Sequence, residues 1–290
     1  MMDWFDWLSL FAGLGLIGYL LDREIYFYEG VHLGPRLQAW LYDRWSKKYD
    51  EGKRESQLRD AEMLAGPLLK LLEKTPEPFI LDFATGTGRL SYALTGQPGF
   101  NGHIIALDLS QGMLVRAAEK LSRASTDLDT PATARPAGRV EFLRHRTLPL
   151  PFPNAAFDAV CALEVLELFP NMDEALAELS RVLAPGGVLL TSRGTEASGR
   201  RAKVKSKLDF GLMLTKHDFE TFEIIPWWKF FDRVIAIRNG ASEPAGRKRL
   251  QDVLQCSTCG QIQWERSVGA MKCLNCGNVL SVTGEGIVLN

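Results

Sequence analysis

Between residues 79 and 192 the chain repeats one unit: a short run of apolar residues, a turn, and a segment with helical apolar spacing. The apolar runs are Phe79–Phe83, 103–107, 140–143, 159–163 and 188–192, with helical segments at 111–122 and 172–183. The runs are mostly apolar, which suits strands covered on both faces. Strands that alternate with helices in this way predict an α/β chain with a doubly wound, mostly parallel sheet. The supply of core material is ample, since 46% of the 290 residues are hydrophobic and 24% are charged. A net charge of −1 gives no global electrostatic case for binding nucleic acid.

The first 34 residues stand apart. Residues 7–21 carry no charge, Asp3 and Asp6 precede them, and Asp22, Arg23 and Glu24 close them. Fifteen helical residues span only about 22 Å, against about 30 Å of hydrocarbon core. Trp4, Trp7 and Tyr19 sit near the two ends, as interfacial aromatics do, and Arg36, Arg44, Lys47, Lys48, Lys53 and Arg54 follow. The segment is therefore expected to be a membrane-associated helix, either a short span or an interfacial one, with a soluble helix docked on the domain as the alternative. The basic residues after it place the rest of the chain at the cytoplasmic face. Acids at the extreme N-terminus and the lack of a small-residue cleavage site argue against a signal peptide. Gly13, Gly15 and Gly18 spell G-x-G-x-x-G inside this helix, but no strand precedes them, so they are not a phosphate loop.

Residues 35–240 are expected to form the α/β domain, opened by helices at 35–48 and 58–72. The Ser/Thr/Ala/Pro-rich stretch 122–138 reads as a surface insertion. The basic run 200–207 reads as a solvated face, with anionic lipid as the alternative partner. Residues 241–255 read as a linker, and 256–290 as a separate small module.

In a doubly wound sheet, ligands bind at the carboxyl ends of the strands. Asp82 ends the first strand, Gly86 and Gly88 lie in the turn, and Asp108 ends the next strand. Glycine there lets backbone approach a ligand, and a carboxylate at the second strand tip can accept from two ribose hydroxyls. A dinucleotide would need a third glycine, where this chain has Ser91, and an acid at Asp82 would repel its pyrophosphate. The same acid suits a cationic head bearing a sulfonium and an amino group, which favours S-adenosylmethionine over NAD.

The stretches LDFATGTGRL, IIALDLSQGMLVRA, PLPFPNAAFDAV and ELSRVLAPGGVLL, in this order and spacing, resemble the class I S-adenosylmethionine-dependent methyltransferases of the UbiE, or type 11, kind across residues 37–239. The resemblance implies a Rossmann-like methyltransferase fold. It implies that Asp82, Ala84, Thr85, Gly86 and Gly88 surround the methionine portion and that Asp108 holds the ribose. Leu109 and Met113 would flank the adenine, and Tyr49 would close over the cofactor. The family commonly carries an acid before the LPF segment, facing the adenine amino group. Here Arg146 stands there, a residue with five donors and no acceptor, leaving Thr147 or backbone to accept.

Methyl transfer needs chiefly alignment, and a base only where the acceptor must lose a proton. The catalytic residue is not identified. Glu164, at the end of the fourth strand, is the candidate, whereas Glu167 reads as an exposed helix carboxylate. Relatives often carry histidine where this chain has Leu168 and Phe169, and His145 reads as a surface residue. Trp227, Trp228, Phe230 and Phe231 precede a last strand at 233–237. They read as sheet-edge packing, with an apolar wall for a hydrophobic acceptor as the alternative.

Cys256-x-x-Cys259-Gly260 and Cys273-x-x-Cys276-Gly277 form two knuckles, enough for a closed four-thiolate site. This resembles a zinc ribbon, with Zn2+ as the expected ion, iron second and disulfides third. Its role would be structural or that of a protein-interaction module. Cys161 lies in an apolar strand and reads as a core residue.

The expected activity is methyl transfer from S-adenosylmethionine to a small-molecule or lipid-like, quinone-like acceptor. The alternatives are a tethered, non-catalytic cofactor-binding protein, motivated by Arg146, and an RNA methyltransferase that uses the ribbon as its RNA contact.

Overall fold

A computed structural model describes residues 3–126, 140–198 and 204–290. Most of the sequence-read insertion at 122–138 and part of the basic run at 200–207 lie outside the described residues. The fold is a doubly wound α/β sheet with covering helices, an N-terminal apolar helix and a C-terminal cysteine module. Its strands are β1 (Phe79–Phe83), β2 (His103–Asp108), β3 (Val140–Arg144), β4 (Phe157–Ala162), β5 (Leu183–Gly194), β6 (Thr221–Trp228) and β7 (Phe231–Ile237). The cysteine module adds β8 (Trp264–Ser267), β9 (Ala270–Cys273), β10 (Val279–Val282) and β11 (Val288–Leu289). All eleven join one sheet in the order β6-β7-β5-β4-β1-β2-β3-β11-β10-β9-β8. Pairings from β5 through β1 to β3 are parallel, and β7 runs antiparallel to both β5 and β6. The order reverses beside β1, which puts the crevice at the carboxyl ends of β1, β2 and β4.

The helices are α1 (Trp4–Asp22), α2 (Pro35–Trp45), α3 (Tyr49–Gln57), α4 (Gly66–Leu71), α5 (Arg89–Thr95), α6 (Gln111–Thr126), α7 (Met172–Val182) and α8 (Lys207–Lys216). Helix α1 is longer than its uncharged stretch because its acids are used as caps. Asp3 and Asp6 each accept the other's backbone N–H at 2.9 Å, a capping box. A π turn at Arg23–Phe27 continues the helix, giving 24 residues from Trp4 to Phe27, or about 36 Å. That is long and apolar enough to cross a membrane, and none of its apolar window is buried against the domain. Gly13, Gly15 and Gly18 lie on this exposed helix with no neighbouring atom within 4 Å of a Cβ placed there.

Two expectations about the chain's later part change. The strand expected at 233–237 is present and opens earlier, at Phe231 (β7), and the aromatics do lie at the sheet edge, but Trp227 and Trp228 themselves end a further strand, β6, which pairs with β7 in an edge hairpin. The stretch 241–255 is also more than a tether. Leu250, Val253 and Leu254 are buried in the same apolar cluster as Leu143, Leu150, Trp264, Met271 and Val288. Domain and cysteine module thus share one core, which a polar-looking composition in short segments conceals.

Asp43 fixes α2 over the crevice. Its Oδ1 accepts from the Ser110 hydroxyl at 2.6 Å and from the Gly112 N–H at 2.7 Å, at the start of α6. The Gly112 N–H is an orphan donor of a helix N-terminus, so its loss is felt directly. Asp43→Ala is expected to cost about 1–2 kcal/mol in chemical denaturation. An unchanged midpoint would remove Asp43 as the clasp.

Candidate active site

The turn after β1 is built on left-handed backbone. Ala84, Gly86 and Gly88 have φ of 52°, 56° and 75°. Alanine is strained there by about 1–2 kcal/mol. Gly88 is required for a different reason: a Cβ on it would lie 2.9 Å from the Ala117 Cβ. Gly88 therefore lets α5 and α6 approach, and it faces neither of the two clefts that the turn borders.

Both strand-tip carboxylates are buried and held by uncharged donors. Asp82 Oδ2 accepts from the Thr85 and Ser91 hydroxyls, each at 2.6 Å, and from the Ser91 N–H at 3.2 Å. Asp108 accepts from the Gly86 N–H on Oδ2 and the Ser110 N–H on Oδ1, both at 2.8 Å. Burial pushes both carboxyls up, Asp108 to about 6, and the Asp82 charge adds to the rise at Asp108. Among the described residues no cation pairs directly with either carboxylate; Asp108 lines one cleft and Asp82 the adjoining one, where Lys53 and Arg89 also stand, paired with Glu164.

Three clefts share both Tyr49 and Glu164. The first, about 790 Å³, is lined by Tyr49, Ala84, Gly86, Asp108, Leu109, Met113, Arg146 and Thr147, together with Tyr42, His145 and Glu164. The second, about 440 Å³, lies on the other side of the turn and is lined by Asp82, Thr85, Gly86 and Glu164. The third, about 1090 Å³, is lined by Tyr26, Glu29, Tyr42, Trp45, Tyr49, Glu164, Glu167, Phe230 and Phe231. Of the sequence-read cofactor residues, the first cleft brings together Tyr49, Ala84, Gly86, Asp108, Leu109, Met113, Arg146 and Thr147. Asp82 and Thr85 stand in the adjoining one. The Arg146 Nε is buried and has no hydrogen-bond partner among the described residues, an orphaned donor at the first cleft.

The carboxylates of the third cleft differ from their sequence reading. Glu167 is not exposed: it is 5% accessible and accepts the Gly194 N–H at 2.5 Å. The tight 3-10 turn at Leu166–Leu168 swings it inward, an orientation that helical spacing does not predict. Glu164 lies in the left-handed region (φ 54°) and is ion-paired twice, to Arg89 at 2.8 Å and to Lys53. Arg89 in turn binds Asp60 at 2.5 Å and lies 4.7 Å from the Trp227 ring. His145 is likewise no free surface residue: it lines the first cleft and touches Pro149 and Asn290.

Sequence reasoning missed Tyr42 and Glu29. The Tyr42 hydroxyl donates to Glu29, and its ring lies 6.5 Å from that of Tyr49. The seven-residue spacing of Tyr42 and Tyr49, two helical turns, was the available signal. Glu29 had none, because it sits in a hook after the first helix.

In the cysteine module, Cys256 and Cys276 Sγ are 3.6 Å apart, Cys259 and Cys273 Sγ are 3.7 Å apart, and all four lie within 4.8 Å. A tetrahedral ion with bonds of about 2.3 Å requires sulfurs about 3.8 Å apart, so the cluster fits. Gly260 and Gly277 have φ of 72° and 76°, closing each knuckle.

A methyltransferase domain family profile matches residues 81–191. The demethylmenaquinone methyltransferase of Thermus thermophilus is 39% identical over 120 residues, 41% of this chain and 48% of that protein. The ubiquinone/menaquinone biosynthesis C-methyltransferase UbiE of Francisella tularensis subsp. tularensis is 34% identical over 111 residues, 38% of this chain and 40% of that protein. The chain thus spans less than half the length of these curated relatives. Among solved structures, a SAM-dependent methyltransferase from Aquifex aeolicus superposes with a TM-score of 0.52 at 21% identity, over 68% of this chain and 98% of that one. This likeness supports the fold.

The raised pKa of Asp108 has a signed consequence. A carboxyl raised from its ordinary 3.8 to about 6 contributes stability below pH 3.8 and loses it as pH rises through about 6. Asp108→Asn, measured without ligand, is therefore expected to gain stability relative to wild type as pH is raised from 4 to 8. A constant difference across that range would show that Asp108 is not held against its ionisation.

Proposed function

We propose that this chain, whose central domain is a class I S-adenosylmethionine-dependent methyltransferase, transfers a methyl group from S-adenosylmethionine to a quinone-like acceptor at a membrane surface. One observation carries the reading: a carboxylate tip and a left-handed backbone turn face a cleft that joins, at Tyr49, a second cleft walled by aromatics and carboxylates. The names of the curated relatives, quinone methyltransferases, support the acceptor class.

The residues fit the cofactor. S-adenosylmethionine supplies a methyl carbon already activated by a positive sulfur. Asp108 keeps lone pairs beyond those given to Gly86 and Ser110, enough to accept from two ribose hydroxyls. Leu109 and Met113 offer apolar contact to the base. The orphaned Arg146 Nε–H offers a donor to a ring nitrogen, with Thr147 beside it. Ala84, Thr85 and Gly86 leave room for the methionine portion, and the Asp82 charge favours the nearby cation. Tyr49 covers the junction.

The acceptor enters by the third cleft, which is aromatic enough for a ring and opens beside Tyr26 in the last turn of the N-terminal helix. Alignment of donor and acceptor does most of the work. Glu164 is a restrained candidate for taking a proton, because two cations already hold it; Glu29 and Glu167 border the same space. The helix would embed in the bilayer, and the basic residues after it would keep the domain at the cytoplasmic face. The four thiols would hold Zn2+ as a structural ion.

Calorimetry with S-adenosylhomocysteine is expected to show binding that Asp108→Ala weakens by about 100-fold or more, the loss of two charge-assisted hydrogen bonds. No heat with the wild-type chain would sink the cofactor reading. Mass spectrometry of lipids and quinones from cells with and without the protein is expected to reveal a species heavier by one CH2. Binding with no such product would favour a non-catalytic role. Elemental analysis of the purified chain is expected to return one zinc per chain, abolished by Cys273→Ser. A full complement of metal in that variant would rule out the four-thiolate site.

A further inference from the structure

We infer that the four-cysteine module is a positioning element for the adenine side of the cofactor cleft, acting through β11 and Asn290 on His145. The inference rests on the reading of the first cleft as the S-adenosylmethionine site. Strand β11 adds to the sheet beside β3, with Val288 opposite Leu143 and Leu289 opposite Arg144. Strand β3 then runs straight into His145, Arg146 and Thr147, which wall the first cleft. Asn290 ties this exit twice. Its N–H donates to the Arg144 carbonyl at 3.1 Å, and its side-chain amide donates to His145 Nδ1 at 3.2 Å.

His145 is then held from all sides. Its Nε2 meets the Pro149 carbonyl at 3.3 Å, and its backbone N–H donates to the carbonyl of Asp108 at 3.0 Å. With Nδ1 accepting and Nε2 donating, the ring is the neutral tautomer, in keeping with the lowering of its pKa by burial. A continuous path of bonded groups therefore runs from the cysteine module through Asn290 and His145 to the carboxylate residue expected to hold the ribose.

The root of β3 is clamped to the same module. Glu141 accepts from the Leu250 N–H at 2.8 Å and from Arg266 at 2.9 Å. Cys273, a predicted metal ligand, lies in the shared apolar cluster with Leu143 and Val288. The module's apolar residues pack into the domain's core, but the four thiols set the shape in which its knuckles present them. Metal binding would supply that shape. Without it, β11 loses its register and β3 becomes an open sheet edge.

The test uses the full chain in three forms: metal-loaded, stripped by chelation and verified by elemental analysis, and loaded Asn290→Ala. S-adenosylhomocysteine affinity is measured by calorimetry, and backbone motion by hydrogen–deuterium exchange. The stripped protein is expected to bind at least about ten-fold more weakly, and Asn290→Ala about three- to ten-fold more weakly with an unchanged melting temperature. Exchange should rise at residues 143–148 in the stripped form while β5 and β7 stay protected. Equal affinity in all three forms overturns the inference, as does exchange that rises evenly through the domain. If the loaded wild-type chain binds nothing, the cofactor reading itself fails and this one falls with it.

Discussion

Asp108 holds the site together. Its two oxygens take the N–H groups of Gly86 and Ser110, so one carboxylate fastens the turn after β1 to the start of α6. The turn can present its N–H there only because its backbone enters the left-handed region three times, at Ala84, Gly86 and Gly88. Gly88 adds a second condition, since the approach of Ala117 leaves no space for a side chain. The result is two buried carboxylates kept near each other by neutral donors. Such an arrangement is costly in an empty site and is relieved by a positive guest. That cost is the physical reason for preferring a sulfonium cofactor to a pyrophosphate.

The cleft proposed for the acceptor is assembled from distant parts of the chain. Glu29 and Tyr26 come from the end of the N-terminal helix, Tyr42 and Tyr49 from the following helices, and Phe230 and Phe231 from the edge hairpin. The long apolar helix and the acceptor cleft are thus neighbours in structure. Among the described residues nothing covers the apolar window of that helix.

Much of this was legible in the order of residues. The parallel strands, the turn at 84–88, the two aspartates and the paired cysteine knuckles were all readable, because each follows from a local rule of spacing or backbone conformation. The carboxylates of the third cleft were not. Glu167 lies in what looks like ordinary helix, yet a 3-10 turn buries it against the Gly194 N–H. Glu164 stands at the expected strand tip, but its pairing with Lys53 and Arg89 depends on residues 111 and 75 positions away. Trp227 serves as a face for Arg89, which neither of the weighed roles of the aromatic cluster contained.

The sequence by itself determined the sheet, its crevice, the residues at the strand tips and the four-thiol cluster, since these depend on periodicity and on short motifs that carry their own geometry. Only the tertiary structure decided that three clefts share Tyr49 and Glu164, that residues 250–254 belong to the core, and that the cysteine module completes the sheet beside β3. Those outcomes rest on contacts between segments more than a hundred residues apart. They follow from which surfaces remain to be buried once every local preference has been met, and no local pattern encodes that remainder.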